Sequence, residues 1–257
     1  MGDFILCPIR RAAHPWFLEG IGRNIYSIEE LCYLITQDLP LMDETVLNEG
    51  LVVWLRLELR LHRLAQRLNH VLDQETFSLA AFVIPIMKEA SYLNQKELQV
   101  LEFRIRTLED QPTPIRLKMK GDALLENDCY AAAIRCYRKA MSYHETAPLG
   151  SQLLGSLYNN LGCVYARLFQ LEEACDCFSR AYDEIHTLAP LKSYLLLTCL
   201  KDGREAYEAA CSSCGLDPET KAGLDREMEE IPSPELPEDP EGALKEWIRA
   251  YHAGTNA

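Results

Sequence analysis

Two stretches of this chain overlay at an offset of 41 residues, and that internal repeat limits the possible folds more than any bulk property. Gly121 falls on Gly162, Leu124 on Tyr165, Ala133 on Ala174, Tyr137 on Phe178 and Ala140 on Ala181. Glycine and alanine let two helices approach closely, while the large residues fill the space between them. One such hairpin leaves an apolar face uncovered, so a stacked neighbour is needed to complete the core. The periodicity and the breakers around it predict helices over 114–126, 130–144, 151–168 and 171–186. A further pair is expected at 191–200 and 203–214.

The second copy reads Tyr158, Leu161, Gly162, Tyr165, Ala174, Phe178, Ala181. It resembles the tetratricopeptide repeat, in which a small residue of the first helix is followed three positions on by a large one. The second helix of that motif carries alanine, aromatic, alanine. The likeness spans 155–188 and, with Pro114 and Lys120 where bulky residues are usual, 114–147. It departs from the family in its offset, which is about 34 residues there; the extra residues here fall around His144 to Gly150. The pair at 191–214 keeps Gly203 and Ala206 but lacks the alanine–aromatic–alanine series, and is expected to cap the stack. The resemblance implies an all-α protein, a right-handed superhelix of stacked helical hairpins preceded by an N-terminal helical region. It also implies that a partner protein or peptide binds the surface made by the first helix of each hairpin. By position, that surface carries Lys118, Asp122, Leu125 and Glu126, then Ser156, Asn159, Cys163, Ala166 and Arg167. Lys118, Asn159, Asn160 and Arg167 are candidates to receive a carboxylate or an extended backbone. They serve equally well as the solvated face of a stacked hairpin.

Before the repeats lies a region of assorted helices. Phe4-Ile5-Leu6 fits a short strand, and residues 1–26 are otherwise expected to be an irregular arm packed on the first helices. Ser27-Ile28-Glu29-Glu30 is a capping-box pattern that opens a helix ending near Leu39-Pro40. Asp43 is expected to open the next helix, whose apolar positions recur from Val46 to Leu72. Whether that is one long helix or two with a break near Leu61 stays open. Further helices follow Phe77 and the cap Asn94-Gln95-Lys96-Glu97. Four prolines between Pro232 and Pro240 rule out a helix there. Polar and apolar helix candidates flank that linker at 218–230 and 243–251. The expected divisions are 1–110, 111–216 and 217–257, with the first two joined by a link too short to act as a tether.

Charge narrows the partners. The net charge is -13, and 217–246 alone holds eleven acidic residues against Lys221, Arg226 and Lys245. Such a chain repels phosphate backbones, so nucleic acid is not expected. The longest apolar run, Leu79 to Met87, is too short to span a bilayer, and no membrane partner is expected. Most of the ten cysteines fall inside helices, where thiols act as small hydrophobes; the expected compartment is the reducing cytoplasm. Arg56, Arg60, Arg63 and Arg67 share one helical face if the helix is continuous, and would then make a basic docking stripe, extended by His70.

Little in the sequence suggests chemistry. Cys211-Ser212-Ser213-Cys214 has the spacing of a redox pair or half a zinc site, but no second pair accompanies it and it ends a helix instead of opening one. The histidines at 14, 62, 70, 144, 186 and 252 are scattered, and Gly20-Ile21-Gly22 lacks the context of a phosphate loop. The expectation is a non-enzymatic scaffold or adaptor that needs no cofactor and binds an unidentified protein or peptide. Two alternatives stand beside it. One is a regulatory protein of the bacterial type that passes a signal from 27–110 into the repeats; the other is a homo-oligomeric structural protein.

Overall fold

The computed structural model describes residues 11–74, 76–145, 149–230 and 237–255, with side chains at all of these except 145 and 251–255. The strand expected at Phe4–Leu6 lies outside them. Among the described residues the fold is all-α apart from one short antiparallel hairpin. That hairpin, β1 (Trp16–Leu18) and β2 (Arg23–Ile25), pairs Trp16 with Ile25 and corrects the expectation of an irregular arm. Gly22 at φ +62° lets the chain reverse there.

Five helices follow. In α1 (Ile28–Gln37) the Ser27 hydroxyl accepts from the Glu30 amide at 3.2 Å, while Ile28, Leu31, Cys32 and Ile35 are buried. The chain at 43–48 is not helical; α2 (Glu49–Leu57) begins only after Asn48, whose side chain accepts from the Leu51 amide. Asp43 instead accepts from the Thr45 amide and hydroxyl and closes a turn, which is why it does not open the helix. Helix α3 (His62–Leu72) is separate, because Arg60 adopts φ +58° and breaks the run at 58–61. Helices α4 (Leu79–Ala90) and α5 (Gln95–Glu109) follow, the latter opened by the Asn94–Glu97 capping box. The N-terminal segment is pinned to this group. Glu58 accepts from the Ala13 and His14 amides at 3.2 and 3.1 Å, and Trp54 donates its indole N–H to the His14 carbonyl at 2.8 Å.

The repeats form two antiparallel pairs, α6 (Thr113–Glu126) with α7 (Tyr130–Ser142) and α8 (Ser151–Arg167) with α9 (Leu171–Ile185). A methyl group added to Gly121 would lie 2.5 Å from the Tyr137 ring, and one added to Gly162 would lie 2.9 Å from the Phe178 ring. Both glycines thus sit against the aromatic residue sixteen positions later. The two turns match as well: Asp128 and Phe169, related by the same 41-residue offset, both adopt φ +57°. Buried alanines at 133, 140, 174 and 181 complete the close contacts. One apolar cluster runs from Ala12 to Phe178, so the N-terminal helices and the two pairs share a core. Lys120 adds a polar tie between them, reaching Asp43 at 2.5 Å.

The chain divides into two compact units, the first ending at Leu197 and the second beginning at Thr198. Helix α10 (Leu188–Asp202) buries Leu191 and Leu195. In the second unit α11 (Arg204–Ser213) and α12 (Pro218–Glu229) bury Tyr207, Cys211 and Leu224. Arg204 reaches Asp225 at 2.8 Å, and Lys221 reaches Glu208 at 3.0 Å and Asp225 at 3.1 Å. The last helix, α13 (Pro240–Thr255), exposes Leu244, Trp247 and Ile248.

Two outcomes follow from these contacts. Gly162→Leu should overpack the α8–α9 contact and cost about 1–3 kcal/mol, read as a lower denaturation midpoint; an unchanged midpoint would contradict the register. Glu58 has its carboxyl lowered, first by the His14 backbone amide and then by the His14 side chain. A lowered folded value means that its contribution is present above the ordinary glutamate range and lost as pH falls through the lowered value. An acid-induced change in tryptophan fluorescence should therefore be smaller in Glu58→Gln than in the native chain.

Candidate functional site

Helices α6 and α8, the first of each pair, lie side by side, and a polar cluster centred on Asp122 joins them. Asp122 Oδ1 accepts from the Tyr137 hydroxyl at 2.8 Å and from Asn160 Nδ2 at 2.7 Å. Its Oδ2 accepts from Lys118 Nζ, one helical turn earlier, at 2.7 Å. Asn159 Nδ2 donates to Asn160 Oδ1 at 3.3 Å, which orients the amide that reaches Asp122. Helical spacing accounts for the set: positions 118 and 122 are four apart on one face, and 160 arrives from the neighbouring helix.

The surroundings strengthen these bonds. Tyr137 is fully buried, and its hydroxyl is driven far above the usual phenol range by burial first and by the Asp122 charge second. The shift favours the protonated hydroxyl that donates to Asp122. Buried hydroxyls need a partner, and this one gains a charged acceptor. The position equivalent to Asp122 in the second pair is Cys163, whose thiol is raised by burial. The second pair therefore lacks this acidic centre.

Of the four residues expected to receive a carboxylate or an extended backbone, Lys118, Asn159 and Asn160 are thus brought together around Asp122, a further residue of the expected surface, and the four are bonded chiefly to one another. Arg167 lies further along, donating to the Leu125 carbonyl at 3.2 Å and lying 3.7 Å from Asp128. The same Leu125 carbonyl also accepts from the Asp128 amide at 3.1 Å, in the turn that follows α6. Glu126 is exposed near the same helix end. Arg56 stands on α2, Arg60 in the left-handed turn, and Arg63 and Arg67 on α3, all exposed. The condition for a single stripe, a continuous helix, is not met, and Glu58 between them is occupied by the N-terminal segment.

The sequence reading missed a second surface. Arg138 donates to the Tyr165 hydroxyl at 2.6 Å, and Arg180 lies over the Tyr158 ring at 5.8 Å. These residues border a groove of about 660 Å³ lined by α7, α8 and α9. Tyr158 and Tyr165 were legible as large motif residues. The signal overlooked was that tyrosine hydroxyls at such positions require polar partners.

Among the described residues no group of three or more His, Cys, Asp or Glu side chains could hold a metal ion. Cys211 is buried and Cys214 ends α11. No described helix is long and apolar enough to cross a membrane. Compared with protein-family models, curated proteins and solved structures, the chain matches none of them.

The Asp122 cluster gives a measurable coupling. Asp122→Ala leaves the buried Tyr137 hydroxyl without its acceptor and should cost about 2–3 kcal/mol, whereas Tyr137→Phe should cost about 1 kcal/mol. The double variant should be more stable than the sum of the two losses, by about 0.5 kcal/mol or more in a denaturation cycle. Strict additivity would show that the two groups do not depend on each other.

Proposed function

We propose that this chain is a non-enzymatic scaffold that holds a partner protein or peptide on the outer edge of the α6–α8 face, in the manner of tetratricopeptide proteins. The observation that carries the reading is the repeated glycine–ring register, Gly121 on Tyr137 and Gly162 on Phe178, which sets two helical pairs at matched spacing. A face held this rigidly loses little entropy on binding, which favours recognition by shape. In this reading Lys118, Asp122, Asn159 and Asn160 hold the two first helices in position, while the exposed Glu126 and Arg167 touch the partner. The working compartment is taken as the cytoplasm, where the nine free thiols described here would remain reduced.

A second reading, self-association, has its own observation. Val100 and Phe103, one turn apart on α5, are 60% and 72% exposed. Apolar side chains so placed are suited to an interface between copies.

The test compares capture of binding proteins by the native chain and by Glu126→Arg/Arg167→Glu, with thermal denaturation confirming that the variant is folded. A partner retained by the first and lost by the second supports the α6–α8 face. A partner retained by both but lost on Arg138→Ala/Arg180→Glu would move the site to the α7–α9 groove. Mass that rises with concentration in the native chain and not in Val100→Ser/Phe103→Ser would favour self-association.

A further inference from the structure

Among the described residues, Glu29 is an acid that is only 5% exposed and whose two carboxylate oxygens are both buried without a hydrogen-bond partner. It occupies the first turn of α1, where the helix dipole offsets part of the cost of its charge. The dipole does not replace the hydrogen bonds that water would supply, and a buried carboxylate left unpaired is strongly unfavourable. The neighbouring acid shows the contrast: Glu30 accepts from the Tyr26 amide at 2.6 Å. The nearby Cys32 thiol is pushed up to about 12, by burial first and the Glu29 charge second.

Glu29 lines a groove of about 390 Å³ between the β1–β2 hairpin and α1. Leu18, Ile21 and Leu34 make its walls apolar, and Tyr33 and Tyr92 contribute aromatic rings. Its charged lining consists of Glu29, Glu30 and Arg23. Glu30 is exposed and has one oxygen held by the Tyr26 amide, whereas both oxygens of Glu29 are without a partner. Apolar walls that carry two acids suit a cation on a hydrocarbon stem, and aromatic rings add attraction for it.

We propose that this groove binds an organic cation, an alkylammonium or guanidinium group on an apolar stem, with Glu29 as its counter-ion. The carboxylate oxygens are sealed from solvent, so Glu29 meets the cation by turning into the groove between staggered rotamers. Arg23 also lines the groove but is exposed and makes no hydrogen bond to Glu29. A free aliphatic amine and a lysine side chain of a protein present the same chemistry.

The experiment titrates the full chain by calorimetry with two matched pairs of probes. The first pair is hexylammonium and hexanol; the second is acetyl-Gly-Lys-Gly-amide and its norleucine analogue. The charged member of at least one pair should bind more tightly than its neutral counterpart by about thirtyfold or more, the range seen for desolvated charge pairs. Glu29→Gln should abolish that preference. The tighter of the two charged probes identifies the source as a free amine or a protein side chain. Asn24→Lys, at an exposed position lining the groove, provides a second variant that does not disturb the core and should weaken the charged probes alone. No preference for charge in the native chain, a preference that survives Glu29→Gln, or affinity unmoved by Asn24→Lys would each overturn the proposal.

Discussion

The spacing between paired helices depends on a ring laid against a glycine, once in each hairpin. Tyr137 and Phe178 fill space that any side chain at 121 or 162 would occupy, so the two pairs close to nearly the same depth. The buried alanines then sit where helices packed this closely can tolerate only small residues. Much else is placed by this contact, because Tyr137 can deliver its hydroxyl to Asp122 only when its ring is held against α6.

The Asp122 cluster shows how a face that looks ready for a ligand can be satisfied from within. Lysine, asparagines and an acid on adjacent first helices have the composition of a carboxylate receptor. In the folded chain the carboxylate is Asp122 itself, and its oxygens take three donors from three helices. A polar network at a seam is favourable only when its members are matched, and it then fixes one relative placement of the helices over others. Cys163 at the equivalent place in the second pair means that the repeat carries the tie once, at the junction between copies.

The N-terminal region is built into this same body by long-range contacts. Lys120 on α6 reaches back to Asp43, Glu58 holds the backbone at Ala13 and His14, and Trp54 bonds the His14 carbonyl. Each joins residues at least forty positions apart, and the apolar cluster is continuous beneath them. The groove at Glu29 belongs to this region too, between a hairpin and the helix it covers, which explains how an acid in a first helical turn comes to be buried.

Helix identity, the pairing of α6 with α7 and of α8 with α9, and the two glycine–ring registers were legible in the sequence. Each rests on local periodicity or on the 41-residue repeat, and local patterns survive in any tertiary setting. The cap at Asn94 was legible for the same reason. Other features were decided only by the tertiary structure. The chain at 43–48 has helical spacing of apolar residues, yet Asp43 closes a turn and Lys120 from a distant helix holds it there. The four arginines fall at helical intervals, yet Arg60 turns left-handed and divides them. Lys118 and Asn160 read as free binding groups because nothing local shows that Asp122 and Tyr137 will use them. Periodicity reports which face of a helix is buried; whether a polar group keeps its valence for a ligand or spends it inside depends on residues that only folding brings near.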